Sequence, residues 1–382
     1  MNKIKLIDLT IDNKGQYGLG ASASPFNMNY PLYLRITDID DNSYVGNLPT
    51  CVNPNEYIDY KNYLLSKNDI VFARTGNSTG RNYFYNGEFK NVVFAGFLIK
   101  FALDPNKVVP QYVSYYCQSQ KYKATIDLLS NGSTRKNLNA HQFGEIEIPM
   151  YSSNMQQHIV NIIGSIDDLI ESNKTKIFNL QSICNEKFKN INLDNSNSVK
   201  MNEIFNVIIG RTPPRKEKEW FSNEKGFKWI SISDMGRANI YVINTDEYLT
   251  NDAVNKFKVP IVPKNTILLS FKLTVGRISI TTEDMVTNEA IAAFTNCPKN
   301  LFYYLYFYLK NYNFSNAGST SSIATAINSK IIKELEFIVP QENELSNFNE
   351  LVKPCFDLID NLNKINQNLR ELKQKYLNKF FG

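Results

Sequence analysis

Histidine is nearly absent from this chain, with His141 and His158 the only two among 382 residues. Neither belongs to a ligand-spaced pair, so histidine-based acid–base chemistry and histidine metal sites have almost nothing to work with. The five cysteines (Cys51, Cys117, Cys184, Cys297, Cys355) are odd in number, scattered, and form no C-x-x-C pair. That argues against a disulfide framework or a zinc site and fits small core residues in a reducing compartment. No apolar run approaches the length that spans a bilayer. Residues 1–9 alternate charged and apolar positions without a signal-peptide core, so a cytoplasmic location is expected. There is no G-x-x-x-x-G-K-[ST] phosphate loop, which makes ATP hydrolysis an unexpected activity. The carboxylates form no nuclease-like Pro-Asp … Asp/Glu-x-Lys arrangement. By itself the chain is expected not to be an enzyme.

What is present is a globular composition, 43% apolar and 21% charged, with enough length for two cored domains. A net charge of +5 permits a polyanionic partner without demanding one. Two segments approach known motifs and stop short. Gly15-Gln16-Tyr17-Gly18-Leu19-Gly20 is glycine-rich but does not read G-x-G-x-x-G, so a flexible turn is its better reading. Asn53-Pro54-Asn55-Glu56-Tyr57 superficially resembles the Asn-Pro-Pro-Tyr loop of adenine-specific DNA methyltransferases. It lacks the second proline, carries an extra residue and has no accompanying cofactor loop, so it too reads as a turn.

The chain repeats itself. Tyr33-Leu34-Arg35-Ile36-Thr37-Asp38-Ile39 corresponds to Trp229-Ile230-Ser231-Ile232-Ser233-Asp234-Met235, each alternating like a half-buried strand before an Asp-containing turn. Ser66-Lys67-Asn68-Asp69-Ile70-Val71-Phe72 corresponds to Pro263-Lys264-Asn265-Thr266-Ile267-Leu268-Leu269, a Lys-Asn turn followed by a buried strand. Each strand then enters a loop ending in Gly-Arg, Gly80-Arg81 and Gly276-Arg277. Further on, Gly132-Ser133-Thr134 corresponds to Gly318-Ser319-Thr320. Last come Glu145-Ile146-Glu147-Ile148-Pro149 and Glu336-Phe337-Ile338-Val339-Pro340, where proline is expected to close a final strand before a helix.

Each half ends in a stripe with steps of three and four residues, the spacing of a coiled-coil seam. The first is Ile159, Ile163, Ile166, Ile170, Asn173, Ile177, Leu180, Cys184; the second is Phe348, Leu351, Cys355, Leu358, Leu362, Ile365, Leu369, Leu372, Tyr376. Gly164-Ser165 and Lys353-Pro354 are expected to break or kink the helices. The uninterrupted parts would be 166–190 and 355–380, about 38 Å each. Neither helix has a partner in its own half, so the two are expected to pack on each other. The expected organisation is a recognition domain at 1–150, a helix at 151–190, a linker at 191–199, a second domain at 200–340 and a second helix at 341–382. If a pseudo-two-fold relates the halves, the helices run antiparallel. A span of about 38 Å, or about 54 Å if the helices run unbroken, would place two heads roughly one to one and a half duplex turns apart.

The interstrand loops carry groups that suit phosphates and base edges. Arg74, Thr75, Asn77, Ser78, Thr79 and Arg81 lie in one loop, and Thr134, Arg135 and Lys136 in another. Lys14, Gln16 and Tyr17 surround the glycine-rich turn. In the second copy the corresponding candidates are Arg211, Thr212, Arg215, Lys216, Lys272, Thr274, Arg277, Ser319 and Thr320. Arginine pairs bidentately with guanine and asparagine with adenine, while hydroxyls and glycine N–H groups suit phosphates. The loops differ between copies while the framework strands agree, as two heads reading different sequences require.

In this order of elements the chain resembles the specificity subunits of type I restriction–modification systems. The segments that carry the resemblance are Gly210-Arg211-Thr212-Pro213, Trp229 to Met235, Asn288-Glu289-Ala290, and Pro149 followed by Gln156-Gln157. The first domain departs from the pattern by lacking a Gly-Thr-Pro-Ser-like opening before Gln16-Tyr17-Gly18. The resemblance implies mixed α/β recognition domains in tandem, joined by two long antiparallel coiled-coil helices and reading a bipartite DNA target. It also implies two modification subunits that use S-adenosylmethionine, and restriction subunits that use ATP and Mg for translocation and cleavage. This chain would supply address and scaffold, with no cofactor of its own. Two other readings stay open on the residues alone. One is a coiled-coil adaptor with duplicated protein-binding heads; the other is a self-contained DNA methyltransferase with disguised motifs.

Overall fold

The computed structural model describes residues 2–130, 136–314 and 327–382. The protein is mixed α/β and divides into two compact units, residues 1–172 with 365–382, and residues 173–364.

In the first unit the antiparallel sheet runs Gln16–Tyr17, Leu98–Ala102, Asp69–Ala73, Asn82–Tyr85. Its central strand is apolar at every position after Asp69 because both faces are covered. Ile70 and Phe72 pack toward helix Pro110–Tyr116 and the long helix, among Tyr112, Tyr116, Phe143 and Ile163. Val71 and Ala73 point the other way, onto Leu34 and Phe94, as the two-residue period of a strand dictates. A second sheet, Ser24–Pro25, Thr50–Cys51, Leu32–Leu34, Val92–Phe94, closes that other face, with its last pair parallel. Asn53 to Tyr57 is a turn, with the Asn55 N–H donating to the Asn53 side chain at 3.1 Å.

The second unit repeats this plan strand for strand. Asn206–Ile209, Ile291–Thr295, Ile267–Ser270 and Ile278–Thr281 form the first sheet, extended by Tyr241–Val242. Phe221–Ser222, Glu247–Leu249, Phe227–Ile230 and Met285–Thr287 form the other, extended by Ile261–Val262. Ile267 and Leu269 face the aromatic helix Phe302–Asn311, while Leu268 faces Ile230 and Met285. Both Lys-Asn turns place their asparagine in the left-handed region, Asn68 at φ 75° and Asn265 at φ 58°, a conformation asparagine tolerates better than most residues.

The final strands show a register that the sequence alignment misses. Lys5 pairs with Glu147 and Asn2 with Met150, whereas Lys200 pairs with Glu336 and Asn197 with Val339. Glu147, not Glu145, is therefore the counterpart of Glu336, and Pro149 lies within its strand rather than closing it. A slip of two residues keeps every apolar side chain on the same face, so alternation alone cannot detect it. Strand Asn197–Lys200 also begins inside the stretch that reads as linker.

The two long helices are continuous. They run Ser153–Lys189 and Glu342–Phe381, 37 and 40 residues, or about 56 and 60 Å at 1.5 Å per residue. The expected breaks are absent: Gly164 and Pro354 sit inside helix, and Val352, Phe356 and Ile359 bury their side chains on both sides of the proline. Within the first unit the helix segments run antiparallel. There the Tyr151 hydroxyl donates to the Phe380 carbonyl at 3.1 Å, and Lys373 meets Asp167 at 2.7 Å. Within the second unit the Phe188 and Phe348 rings lie 6.3 Å apart and Cys184 hydrogen-bonds Cys355, again antiparallel.

On the first helix Ile166, Ile170, Asn173, Ile177 and Cys184 are buried and Leu180 is half-buried. On the second helix Leu362 is buried, and Leu369 and Tyr376 are half-buried. Leu358 and Ile365, each 46% exposed, and Leu372 stand off the buried row. That row instead runs through Val352, Ile359, Asn366 and Lys373, one residue further along. At two of these four places both neighbours are apolar. At the other two the inward residue is polar, so hydrophobicity selects the wrong row. Ile359→Ala should therefore cost about 2–5 kcal/mol of stability and Leu358→Ala less than about 1 kcal/mol. Urea denaturation of the two variants checks this, and equal losses would restore Leu358 to the seam.

Candidate nucleic-acid interface

Because both faces of each central strand are covered, polar groups gather where the strands end. In the second unit, strands Asn206–Ile209 and Ile267–Ser270 both end beside the start of Ile291–Thr295. Their outgoing loops, 210–216 and 271–276, flank the connector Asn288-Glu289-Ala290. The Gly210 N–H donates to the Ile291 carbonyl at 3.2 Å and the Phe271 N–H to the Ala290 carbonyl at 2.9 Å. A Cβ on Gly210 would sit 2.1 Å from the Thr287 carbonyl oxygen, so only glycine fits there.

The first unit has the same corner. Gly18 donates to the Leu98 carbonyl at 3.1 Å, and a Cβ there would lie 2.2 Å from the Ala95 carbonyl oxygen. Gly18 is thus the counterpart of Gly210, and Gly18-Leu19-Gly20 is the opening that the first domain lacks by sequence. The strand register carries the equivalence; the flanking residues share too little for sequence to find it.

Around Gly18 the first unit assembles many of its candidates. The Arg74 guanidinium lies 5.0 Å from the centre of the Tyr17 ring, and the Tyr17 hydroxyl accepts the Ala140 N–H at 3.1 Å. Loop 74–81 is laced to residues 136–138. Gly76 donates to the Lys136 carbonyl at 3.0 Å, Leu138 to the Arg74 carbonyl at 2.9 Å, and the Thr79 hydroxyl to the Gly76 carbonyl at 2.7 Å. Thr75 bridges Asn137, and Asn77 is exposed at the tip. Gln16 turns away, its amide donating to the Asn62 carbonyl at 2.9 Å. Lys14 meets Asp12 at 3.5 Å and Lys136 meets Asp127 at 2.9 Å. Thr134, Arg135, Ser319 and Thr320 lie outside the described residues.

In the second unit Arg215 stacks over Phe221 and Trp229, 4.6 and 4.9 Å from their ring centres, while Glu247 holds it at 2.9 Å. Arg211 donates to the Phe257 carbonyl at 3.0 Å, and the Thr212 hydroxyl bonds the Glu289 carboxylate. Lys216, Lys272 and Thr274 are exposed.

Two candidates are tied into the framework. Arg277 donates to the Ile232 carbonyl at 2.5 Å, and Arg81 donates to the Ile39 carbonyl at 3.3 Å and to Asp41 at 2.7 Å; Ser78 lies 3.5 Å from the same guanidinium. Each ties its Gly-Arg hairpin to the Asp-containing segment that follows a strand of the other sheet, a turn in the first unit and the start of helix Ile232–Arg237 in the second. Those segments are themselves capped: Asp38 accepts the Arg35 N–H at 2.8 Å and Asp234 the Ser231 N–H at 2.8 Å. The Asp38 carboxylate also bonds the Arg35 guanidinium and holds its pKa above the ordinary value. Here these two guanidinium groups brace the framework, and sequence alone could not tell that arrangement from a base-reading arginine because both need the same residue in the same loop.

A duplicated α/β unit with polar loops collected at one sheet end, each backed by a long helix, defines a tandem-repeat protein. The family model of the type I restriction modification DNA specificity domain matches residues 25–182 and 194–373, and the chain belongs to that family. It is 26% identical over 189 residues to the type I restriction enzyme MjaIX specificity subunit of Methanocaldococcus jannaschii, 48% of this chain and 43% of that protein. It is 23% identical over 183 residues to the HindI specificity subunit of Haemophilus influenzae, 46% of this chain and 39% of that one. The matched segments thus span less than half the length of either relative. The crystal structure of a type I restriction-modification system S subunit from M. genitalium superposes with a TM-score of 0.51 at 16% identity, covering 100% of this chain and 96% of that one. That likeness shows the fold.

Arg277→Ala should lower unfolding free energy by about 1–3 kcal/mol, since it removes a part-buried, charge-assisted hydrogen bond to the Ile232 carbonyl. Lys216→Ala should stay within about 0.5 kcal/mol. Urea midpoints decide, and an unmoved midpoint in R277A would return Arg277 to the DNA-facing set.

Proposed function

We propose that this chain is the DNA-specificity subunit of a type I restriction–modification complex. The observation that carries the reading is the match of the specificity-domain model to both halves of the chain. The equivalent loop clusters beside Gly18 and Gly210 support it. Each domain reads one half of a bipartite duplex target. The chain recruits two modification subunits, which use S-adenosylmethionine to methylate adenine, and restriction subunits, which use ATP and Mg to translocate and cut. It contributes address and scaffold rather than catalysis, and works in the cytoplasm. Among the described residues no helix is long and apolar enough to cross a membrane.

Exposed lysines at the sheet-end loops would contact phosphate and ion-paired arginines would position or read bases. Lys216→Ala should weaken binding to all duplexes alike and reduce the slope of log affinity against log salt by about one. Titrations between about 50 and 200 mM salt test this; affinity that does not vary with salt would sink the reading. In cells, deleting the gene should erase a split adenine-methylation motif with a fixed gap.

A further inference from the structure

In the second unit, loop 271–276 carries one side chain that the fold does not use. Leu273 is 95% exposed and sits at φ +61°, the left-handed region in which a Cβ crowds the backbone. Leucine is disfavoured there twice, by its apolar surface left in water and by its strained backbone. The loop does not require it. Leu273 is the third residue after Ser270, and the equivalent third residue after Ala73 in the first unit is Gly76, at φ +69° with no strain.

The loop is held firmly. The Ser270 hydroxyl donates to the Thr274 carbonyl at 2.6 Å and accepts the Arg277 N–H at 3.0 Å. Gly276 donates to the Ser270 carbonyl at 2.9 Å, and Phe271 is buried beneath. Leu273 therefore stands on a rigid base between exposed Lys272 and Thr274, at the sheet end where Arg211 and Lys216 also lie. A cation and a hydroxyl beside one apolar tip suit a duplex groove: phosphate for the lysine, and for the leucine the thymine methyl, the one apolar group that the major groove displays. The other apolar side chain at the surface of this loop is Val275, 37% exposed.

Resting on the DNA-specificity reading above, we infer that Leu273 is a specificity-determining residue that contacts the 5-methyl group of a thymine in the half-site read by the second unit. The full chain, with the modification subunits that co-purify with it, selects duplexes from a randomised pool. Each thymine of the selected site is then replaced by deoxyuridine, and binding is compared for wild type and L273G. At one thymine, removing the methyl weakens wild type about fivefold, close to 1 kcal/mol, and leaves L273G unchanged. L273G melts no lower than wild type and binds poly(dI-dC) duplex equally. Deoxyuridine substitutions that affect both proteins alike, or an L273G that keeps full affinity for the selected site, overturn the assignment alone. A wild-type complex that selects no motif overturns the DNA-specificity reading and this assignment with it.

Discussion

The structure of each unit depends on one strand buried on both faces, Asp69–Ala73 in the first and Ile267–Ser270 in the second. A strand with no free face must be apolar through its middle and must pass its polar work to its ends. Every loop of interest follows from that. The strand stops, the chain turns through a left-handed glycine, Gly80 or Gly276, and an arginine ties the return strand to the Asp-containing segment after a strand of the other sheet. The framework thus fixes where a variable loop starts and ends while leaving its tip unconstrained. Loops 74–79 and 271–275 differ in length and composition, yet both hang from the same pair of hydrogen bonds.

Much of this was legible in the residues because the constraints are local. Asparagine in a Lys-Asn turn, aspartate after a strand and glycine before arginine each answer a backbone demand within a few positions. They recur in both copies because that demand recurs. What escaped was long-range or degenerate. The slip between Glu145 and Glu147 preserves the period of two. The inward row of the second helix contains Asn366 and Lys373, which hydrophobicity would never choose. Lys373 is placed there by Asp167 and by the Tyr115 ring, 5.5 Å from its ammonium, and these partners lie some two hundred positions away in the chain. Gly18 was hidden for a third reason: its requirement comes from the Ala95 carbonyl, in the connector between strands Val92–Phe94 and Leu98–Ala102, and nothing beside it in sequence announces that contact.

The candidate site was legible by location but not by role. Among the described residues, the loops named from composition do collect at the sheet ends, yet Arg81 and Arg277 spend their guanidinium groups on backbone carbonyls, and Gln16 faces Asn62. The residue types that suit a nucleic acid are also those that suit a strained loop, since both need donors in quantity. Only geometry separates a brace from a contact.

Three of the candidate cations that stand at the surface are paired, Arg215 with Glu247, Lys136 with Asp127 and Lys14 with Asp12. Exposed pairs of this kind contribute little to stability, about 0–1 kcal/mol each. Their consequence is electrostatic. An arginine that must release a carboxylate before meeting a phosphate gains less from a random duplex than a free arginine does. Its full gain comes only where the bound geometry also supplies a base edge. Arg215 illustrates the point, because the faces of Phe221 and Trp229 keep its guanidinium plane oriented whichever anion it holds. On the proposed reading, intramolecular pairing lowers affinity for DNA in general and leaves the discrimination between sequences to the loop tips. A protein whose task is to supply an address benefits more from that ratio than from affinity itself.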